Sequence, residues 1–234
     1  MTAVAASFPH APRPAGPTPA LPCRALFLDF DGVILQSAAL KTRAFADVYA
    51  GADPALLARI VDYVDEHGGV TRTDKFAHIE RAFFGRPGDA AAVGRLAQQF
   101  RRRVLDAVLA CDFVPGARRL LDLAHGRVDL HVVSGTPHDE LVEIVAHRGL
   151  APLLTSVHGA PPHKRVTFER LLREHGYAPG TVVAVGDAPT EFVAARALGI
   201  PFIAVVPEGA PRRFPDDVPV VANLGPLPRM LGLA

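Results

Sequence analysis

Apolar residues follow two rhythms along this chain. The first is a set of short unbroken runs, each ending on small or acidic residues. Arg24 to Asp31 reads R-A-L-F-L-D-F-D and is followed by Gly32, the pattern of a buried strand opening into a loop. Val128 to Val133 leads to Ser134-Gly135, Val182 to Val185 leads to Gly186-Asp187, and Phe202 to Val206 ends near Pro207, each preceded by a helical pattern. Strands alternating with helices predict an α/β fold, a Rossmann-like parallel sheet with helices on both faces. In such a sheet ligands bind outside the carboxyl ends of the strands, so three strands would deliver polar residues to one place.

The second rhythm has helical spacing and occupies residues 37 to 110, where no strand-like run occurs. Asp53-Pro54 supplies an N-cap followed by proline at the first helical position. Leu57, Ile60, Val61 and Val64 share one face, and Gly68-Gly69 marks a stop, which predicts a helix of about 14 residues. Leu40 to Tyr49, Asp74 to Phe84 and Asp89 to about Leu109 complete a set of about four helices. At Phe113-Val114-Pro115-Gly116 the chain returns to the first pattern, with Ala117 to Ala124 as the helix feeding the strand at Val128. The expected organisation is an α/β core from residues 23–36 and 111–234, an inserted α-helical cap domain over 37–110, and a proline-rich tail over 1–22. Pro9, Pro12, Pro14, Pro17, Pro19 and Pro22 interrupt any continuous signal-peptide core, and Arg13 alone is too little charge for a transit peptide. The tail is expected to be disordered.

Composition narrows the range of partners. The 234 residues are 49% hydrophobic and carry 25 basic against 24 acidic side chains, a formal charge of +1. That balance gives no electrostatic reason to expect a nucleic acid or a membrane surface as partner. Arg101 to Arg103, the densest basic cluster, reads as a solvated helix face. Cys23 and Cys111 show no zinc or redox spacing and are expected to be free thiols in a reducing cytoplasm. The histidines, His131 and His163 among them, show no metal-ligand spacing and read as solvated or core residues.

The chemistry concentrates at the run ends. D-F-D-G-V at Asp29 to Val33 resembles the first motif of the haloacid dehalogenase superfamily. The other motifs follow in order: Ser134 after V-V, Lys164 after G-A-P-P-H, and G-D-A-P-T-E from Gly186 to Glu191. The helical insertion is similar to the cap that the phosphoglycolate phosphatase and β-phosphoglucomutase-like branch places after its first strand, so the resemblance covers nearly everything except the tail. It implies a magnesium-dependent (Mg2+) phosphatase acting on a small phosphorylated metabolite, such as a sugar phosphate or a phosphoglycolate-like acid, through an aspartyl phosphate. Asp29 would be nucleophile and metal ligand. Asp31 would protonate the leaving oxygen and then deprotonate the attacking water, its backbone carbonyl also binding the metal. Ser134 and Gly135 would offer a hydroxyl and an N–H to the phosphoryl oxygens, and Thr136-Pro137 would cap and open the next helix.

Lys164 would neutralise the charge shared by Asp29 and the phosphoryl group. Only three of the 25 basic residues are lysine, which suits a need for a compact point charge at this position. Asp187 would complete magnesium coordination. Glu191 stands where many family members carry aspartate, which leaves open direct or water-mediated contact with the metal. Ala188 replaces a frequent serine. In the cap, G-G-V-T-R-T-D-K from Gly68 to Lys75 resembles the family's specificity loop, making Arg72 and Lys75 substrate candidates.

Each element alone also has a plainer reading: D-x-D-G as a tight turn with an aspartate cap, S-G-T-P as a strand-to-helix turn, and Lys164, Arg72 and Lys75 as surface charges. The second aspartate, Asp31, argues against the cation-pump, phosphonoacetaldehyde hydrolase and dehalogenase branches. A phosphomutase of the β-phosphoglucomutase type shares all four motifs and stays open. A receiver-like phospho-aspartate signalling module, or a non-catalytic binding protein, fits the cap and the complete motif set less well. Neither the oligomeric state nor the physiological substrate is legible from the residues.

Overall fold

The computed structural model describes residues 23–234 together with a two-residue strand, β1 (Ala6–Ser7). The expected disorder of residues 1–22 otherwise lies outside the described residues. β2 (Ala25–Leu28) is followed by four helices, α1 (Ala38–Val48), α2 (Pro54–Glu66), α3 (Arg72–Phe84) and α4 (Ala90–Ala110). The chain continues through α5 (Ala117–Ala124), β3 (Asp129–Pro137), α6 (His138–His147), β4 (Ser156–Ala160), α7 (Lys164–His175), β5 (Val182–Gly186), α8 (Pro189–Ala197), β6 (Phe202–Val205), β7 (Val220–Val221) and α9 (Leu227–Met230). The sheet order is β1-β4-β3-β2-β5-β6-β7, and every pairing is parallel except the antiparallel β1–β4 edge.

β2 sits in the middle because all four of its side chains are apolar and buried, as a parallel strand covered on both faces requires. Its alternation splits the core. Leu26 and Leu28 join one apolar cluster with Leu130, Val132 and Leu141, while Ala25 and Phe27 join another with Phe168, Ala184 and Phe202. The first cluster continues without a break into the helical insertion, where the Phe45 ring lies 4.7 Å from Phe76 and 4.6 Å from Phe100.

Local signals explain the helix starts. Asp53 accepts from the N–H groups of Ala55 and Leu56, Pro54 occupies the first position of α2, and Asp89 caps α4 through Ala92 N–H. Two local expectations need correction. α3 begins at Arg72, so only residues 68–71 form a loop: Thr71 accepts from Asp74 N–H and draws Arg72 and Lys75 into the first helical turn. Thr136 is no N-cap. β3 runs through Ser134 and Gly135 to Pro137, and the Thr136 hydroxyl is turned into the site.

β4 carries Ser156, His158 and Gly159 and has no strand-like apolar run, yet all five of its residues are buried. Its polar groups are satisfied through a hydrogen-bonded chain. Arg170 contacts His158 Nδ1 at 2.9 Å, His158 Nε2 contacts Ser156 Oγ at 2.6 Å, and Ser156 contacts His131 Nδ1 at 2.7 Å. His131 Nε2 lies 3.1 Å from the Tyr177 hydroxyl, which donates to Asp129 at 2.7 Å. A guanidinium can only donate, so His158 accepts at Nδ1 and carries its proton on Nε2. Burial first, and the Arg170 charge second, push the His158 imidazole down to about 3, so it packs as a neutral ring. Cys23 and Cys111 are free, as expected. Among the described residues no helix is long and apolar enough to cross a membrane.

Candidate active site

The strand order reverses around β2, and the carboxyl ends of β2, β3 and β5 open on a common cavity of about 350 Å³ roofed by the inserted helices. Asp29 leaves β2 with its N–H still donating to Val185 O at 2.9 Å, so its carboxylate stays level with the end of β5. The loop then turns sharply at Gly32, whose φ of 75° favours glycine. A Cβ at this position would lie 2.0 Å from Asp187 Oδ2, so a side chain here would displace the β5 carboxylate. Gly135 is equally confined, since a Cβ would meet the Gly69 carbonyl of the roof at 2.9 Å.

Asp29, Asp187 and Glu191 converge, each offering a carboxylate oxygen within 4.8 Å of the others. Lys164, at the start of α7, places Nζ 2.8 Å from Asp29 Oδ1 and hydrogen-bonds Glu191 Oε1. The Asp29 contact is not aligned for a hydrogen bond, so Asp29 Oδ1 is buried without a hydrogen-bond partner. Burial, opposed by Lys164 and assisted by Glu191 and Asp31, pushes the Asp29 carboxyl up to about 7. Burial and the neighbouring Asp29 and Glu191 charges also raise Asp187 well above the usual carboxylate range. Burial would lower the Lys164 ammonium, but Asp29 and Glu191 outweigh it and raise it instead.

Carboxyls pushed up by burial and then by one another's charge, with Asp29 Oδ1 held only by the Lys164 ion pair, are what a divalent cation would relieve, and an all-oxygen donor set fits magnesium. The Asp31 side chain lies outside this trio. Glu191 is already occupied. Its Oε1 also accepts from Thr190 and its Oε2 accepts from Ala188 N–H, which caps α8 without a serine at position 188.

Asp31 is turned to a different set of partners. It accepts from Ser37 Oγ at 2.5 Å, Lys41 Nζ at 2.6 Å, Thr136 Oγ1 at 2.9 Å and Ser134 Oγ at 3.4 Å. Burial pushes this carboxyl up, but the Lys41 charge and the donors on Lys41, Ser37 and Thr136 outweigh it and hold the group below the usual carboxylate range. Lys41 reaches in from α1 and donates to Thr136 as well, at 2.6 Å. Sequence reasoning missed it, although one signal was available: Lys41, Lys75 and Lys164 are the chain's three lysines, and all three border this site.

The roof residues differ in what they touch. Arg72 lines the cavity with both terminal guanidinium nitrogens engaged by Glu140 of α6, at 2.9 and 2.7 Å, and its Cζ 4.3 Å from the centre of the Phe100 ring. Lys75 donates to Val64 O at 3.1 Å. Arg101, read as part of a solvated face, pairs with Glu143 at 2.5 Å and ties α4 to α6. Arg213, from the stretch between β6 and β7, lines the same cavity and donates to Asp65 O of α2.

Residues 23–199 match the family model for haloacid dehalogenase-like hydrolases. The chain belongs to that family. A phosphoglycolate phosphatase from Synechococcus elongatus is 29% identical over 188 residues, 78% of this chain and 83% of that protein. Another from Rhodospirillum rubrum is 28% identical over 190 residues, covering 78% and 79%. Among solved structures, CbbY from Rhodobacter sphaeroides in complex with phosphate superposes with a TM-score of 0.69 at 17% identity, covering 88% of this chain and 96% of that one. At that identity the likeness speaks for the fold of this haloacid dehalogenase-like hydrolase.

Proposed function

We propose that this hydrolase is a magnesium-dependent phosphatase of a small phosphomonoester, with residues 23–36 and 111–234 as its catalytic core and 37–110 as a cap. The observation that carries the reading is the convergence of Asp29, Asp31, Ser134 and Asp187 on one roofed cavity from three strand ends, with Lys164 at a helix start paired to Asp29. The phosphoglycolate phosphatase relatives support the same reaction class.

Asp29 is the nucleophile: its oxygen forms a bond to phosphorus while the ester P–O bond breaks, and Asp31 delivers a proton to the departing alkoxide. In the second half Asp31, now a carboxylate, takes a proton from the water that attacks the aspartyl phosphate, releasing inorganic phosphate and restoring Asp29. Lys41, Ser37 and Thr136 favour the ionised form of Asp31, the form this second step requires, so Asp31 must take up a proton before the first step, and the second step returns one to it. Ser134 and the Gly135 N–H hold phosphoryl oxygens, and Lys164 offsets the negative charge that Asp29 and phosphate bring together. Asp29, Asp187, the Asp31 backbone carbonyl and Glu191, directly or through water, would hold magnesium, which would supply positive charge against the anionic phosphoryl group. The cap excludes bulk water through contacts such as Arg72–Glu140 and Lys41–Asp31.

The test is phosphate release from a panel of phosphorylated metabolites with magnesium, run on the parent protein and Asp29→Asn. Magnesium-dependent release abolished by the variant is the expected result. Variant activity within about tenfold of the parent would remove Asp29 from the mechanism. Release without any bisphosphate activator separates a phosphatase from a phosphomutase.

A further inference from the structure

Gly68 and Gly69, between α2 and α3, lie directly against the turn that carries Asp187 and Glu191. A Cβ at Gly68 would stand 2.9 Å from Ala188 Cβ, and one at Gly69 would overlap Thr190 Oγ1 and stand 2.7 Å from Glu191 Oε1. The φ of 75° at Gly69 disfavours a side chain independently. This close approach of the helical insertion to α8 therefore depends on both positions lacking a side chain.

Thr190 stands between the loop and the carboxylate. Its hydroxyl is 2.9 Å from Glu191 Oε1 and 3.4 Å from Gly68 O. A hydroxyl has one proton to give, so the shorter contact takes it, and the loop backbone confines the oxygen from the other side. Glu191 is buried, and Lys164 and the Ala188 N–H are its other donors. Groups that hydrogen-bond a ligating carboxylate fix its orientation, and losing one typically weakens metal binding by about 10- to 100-fold.

Resting on the magnesium site of the reading above, we propose that Thr190 is a positioning residue that couples seating of the Gly68–Gly69 loop to magnesium binding at Asp29, Asp187 and Glu191. With the loop seated, the Thr190 hydroxyl is held against Glu191, and the carboxylate keeps the orientation that completes the acidic trio. With the loop lifted, Thr190 is no longer confined and Glu191 loses a fixed donor. Coupling between two equilibria is reciprocal, so a cation at the trio favours the seated loop to the same extent. The roof then closes more readily over a loaded site than over an unloaded one.

The test reads binding and loop seating without substrate. It uses the parent protein, Thr190→Val, which keeps the shape and removes the donor, and Thr190→Ser, which keeps the donor. Titration calorimetry with magnesium gives the affinity. Hydrogen exchange over residues 66–72, each protein measured without magnesium and then saturated with it, gives the seating of the loop. Thr190→Val should bind magnesium about tenfold more weakly and lose most of the magnesium-dependent slowing of exchange over that segment, while Thr190→Ser keeps both. A threonine that merely stabilised α8 would, when replaced, speed exchange in the helix and leave the magnesium-dependent slowing of the loop intact.

A folded Thr190→Val protein that binds magnesium within about twofold of the parent, or whose loop is still protected at saturation, overturns the coupling and leaves the phosphatase reading intact. Loop exchange in the parent that ignores magnesium does the same. A parent that binds no magnesium overturns the coupling and the metal site together. Failure of the parent to release phosphate from any metabolite counts against the phosphatase reading alone, since the coupling is measured without turnover. Thermal melts confirm that each variant is folded.

Discussion

Replacing Arg72 by methionine tests a buried contact that joins the helical insertion to the rest of the fold. Arg72 and Glu140 are 7% and 4% exposed at their side chains and meet at 2.7 and 2.9 Å, so water contributes little to either charge. Removing one partner from such a pair strands the other, and costs about 3–5 kcal/mol. Arg101 Nε, 3.7 Å from Glu140 Oε2, offers the stranded carboxylate partial compensation, which places the expected loss near the lower end of that range. For a domain of this size each kcal/mol moves Tm by about 2–4 °C, so the variant should melt roughly 6–12 °C lower. The double variant Arg72→Met/Glu140→Leu replaces the pair by apolar side chains and should recover most of the loss. Urea unfolding measures the cost, and hydrogen exchange at α3 and α6 shows whether it falls on cap closure. A single variant that costs under about 1 kcal/mol, or a double variant no better than the single, refutes the reasoning.

Other outcomes follow from the same geometry. Asp31→Asn should slow hydrolysis of an alkyl phosphate by about 10²- to 10⁴-fold, and an unchanged rate removes Asp31 from the proton transfers. Lys41→Met removes the charge that holds the Asp31 carboxyl low against burial, so the alkaline limb of kcat/KM, which requires protonated Asp31, should move to higher pH. An unmoved limb, read from kcat/KM between pH 4 and 8, shows that Asp31 titration does not set it. Because Asp29 is pushed up to about 7 and Asp187 is raised as well, magnesium added at neutral pH should displace protons. Titration calorimetry in buffers of different ionisation enthalpy measures that release, and its absence contradicts the assigned ligand set.

Three of the four motifs were legible because each lies where an apolar run meets a polar residue, and in a parallel sheet those junctions share one edge, whereas Lys164 was legible only through its place in the motif order. The helical insertion was legible for an equally local reason: Asp53-Pro54, Asp89 and Gly68-Gly69 mark helix ends by backbone chemistry that acts within a few residues. Strand β4 was not, since Ser156 and His158 are tolerated in the core only because Arg170, His131 and Tyr177, distant in the chain, complete their hydrogen bonds. The charge partners of the cap were hidden in the same way. Arg72 and Lys75 stand in one helical turn and read alike as basic residues near a specificity loop. Folding brings Glu140, 68 positions away, against Arg72 and brings no carboxylate to within ion-pair distance of Lys75 among the described residues. Lys41 likewise became part of the site only when α1 laid it across Asp31 and Thr136. The sequence by itself therefore determined the strands that end at the site, the groups of the four motifs and the helical character of the cap, because those depend on local pattern. The tertiary structure alone decided which charges neutralise one another, because pairing and desolvation depend on neighbours that chain order does not reveal.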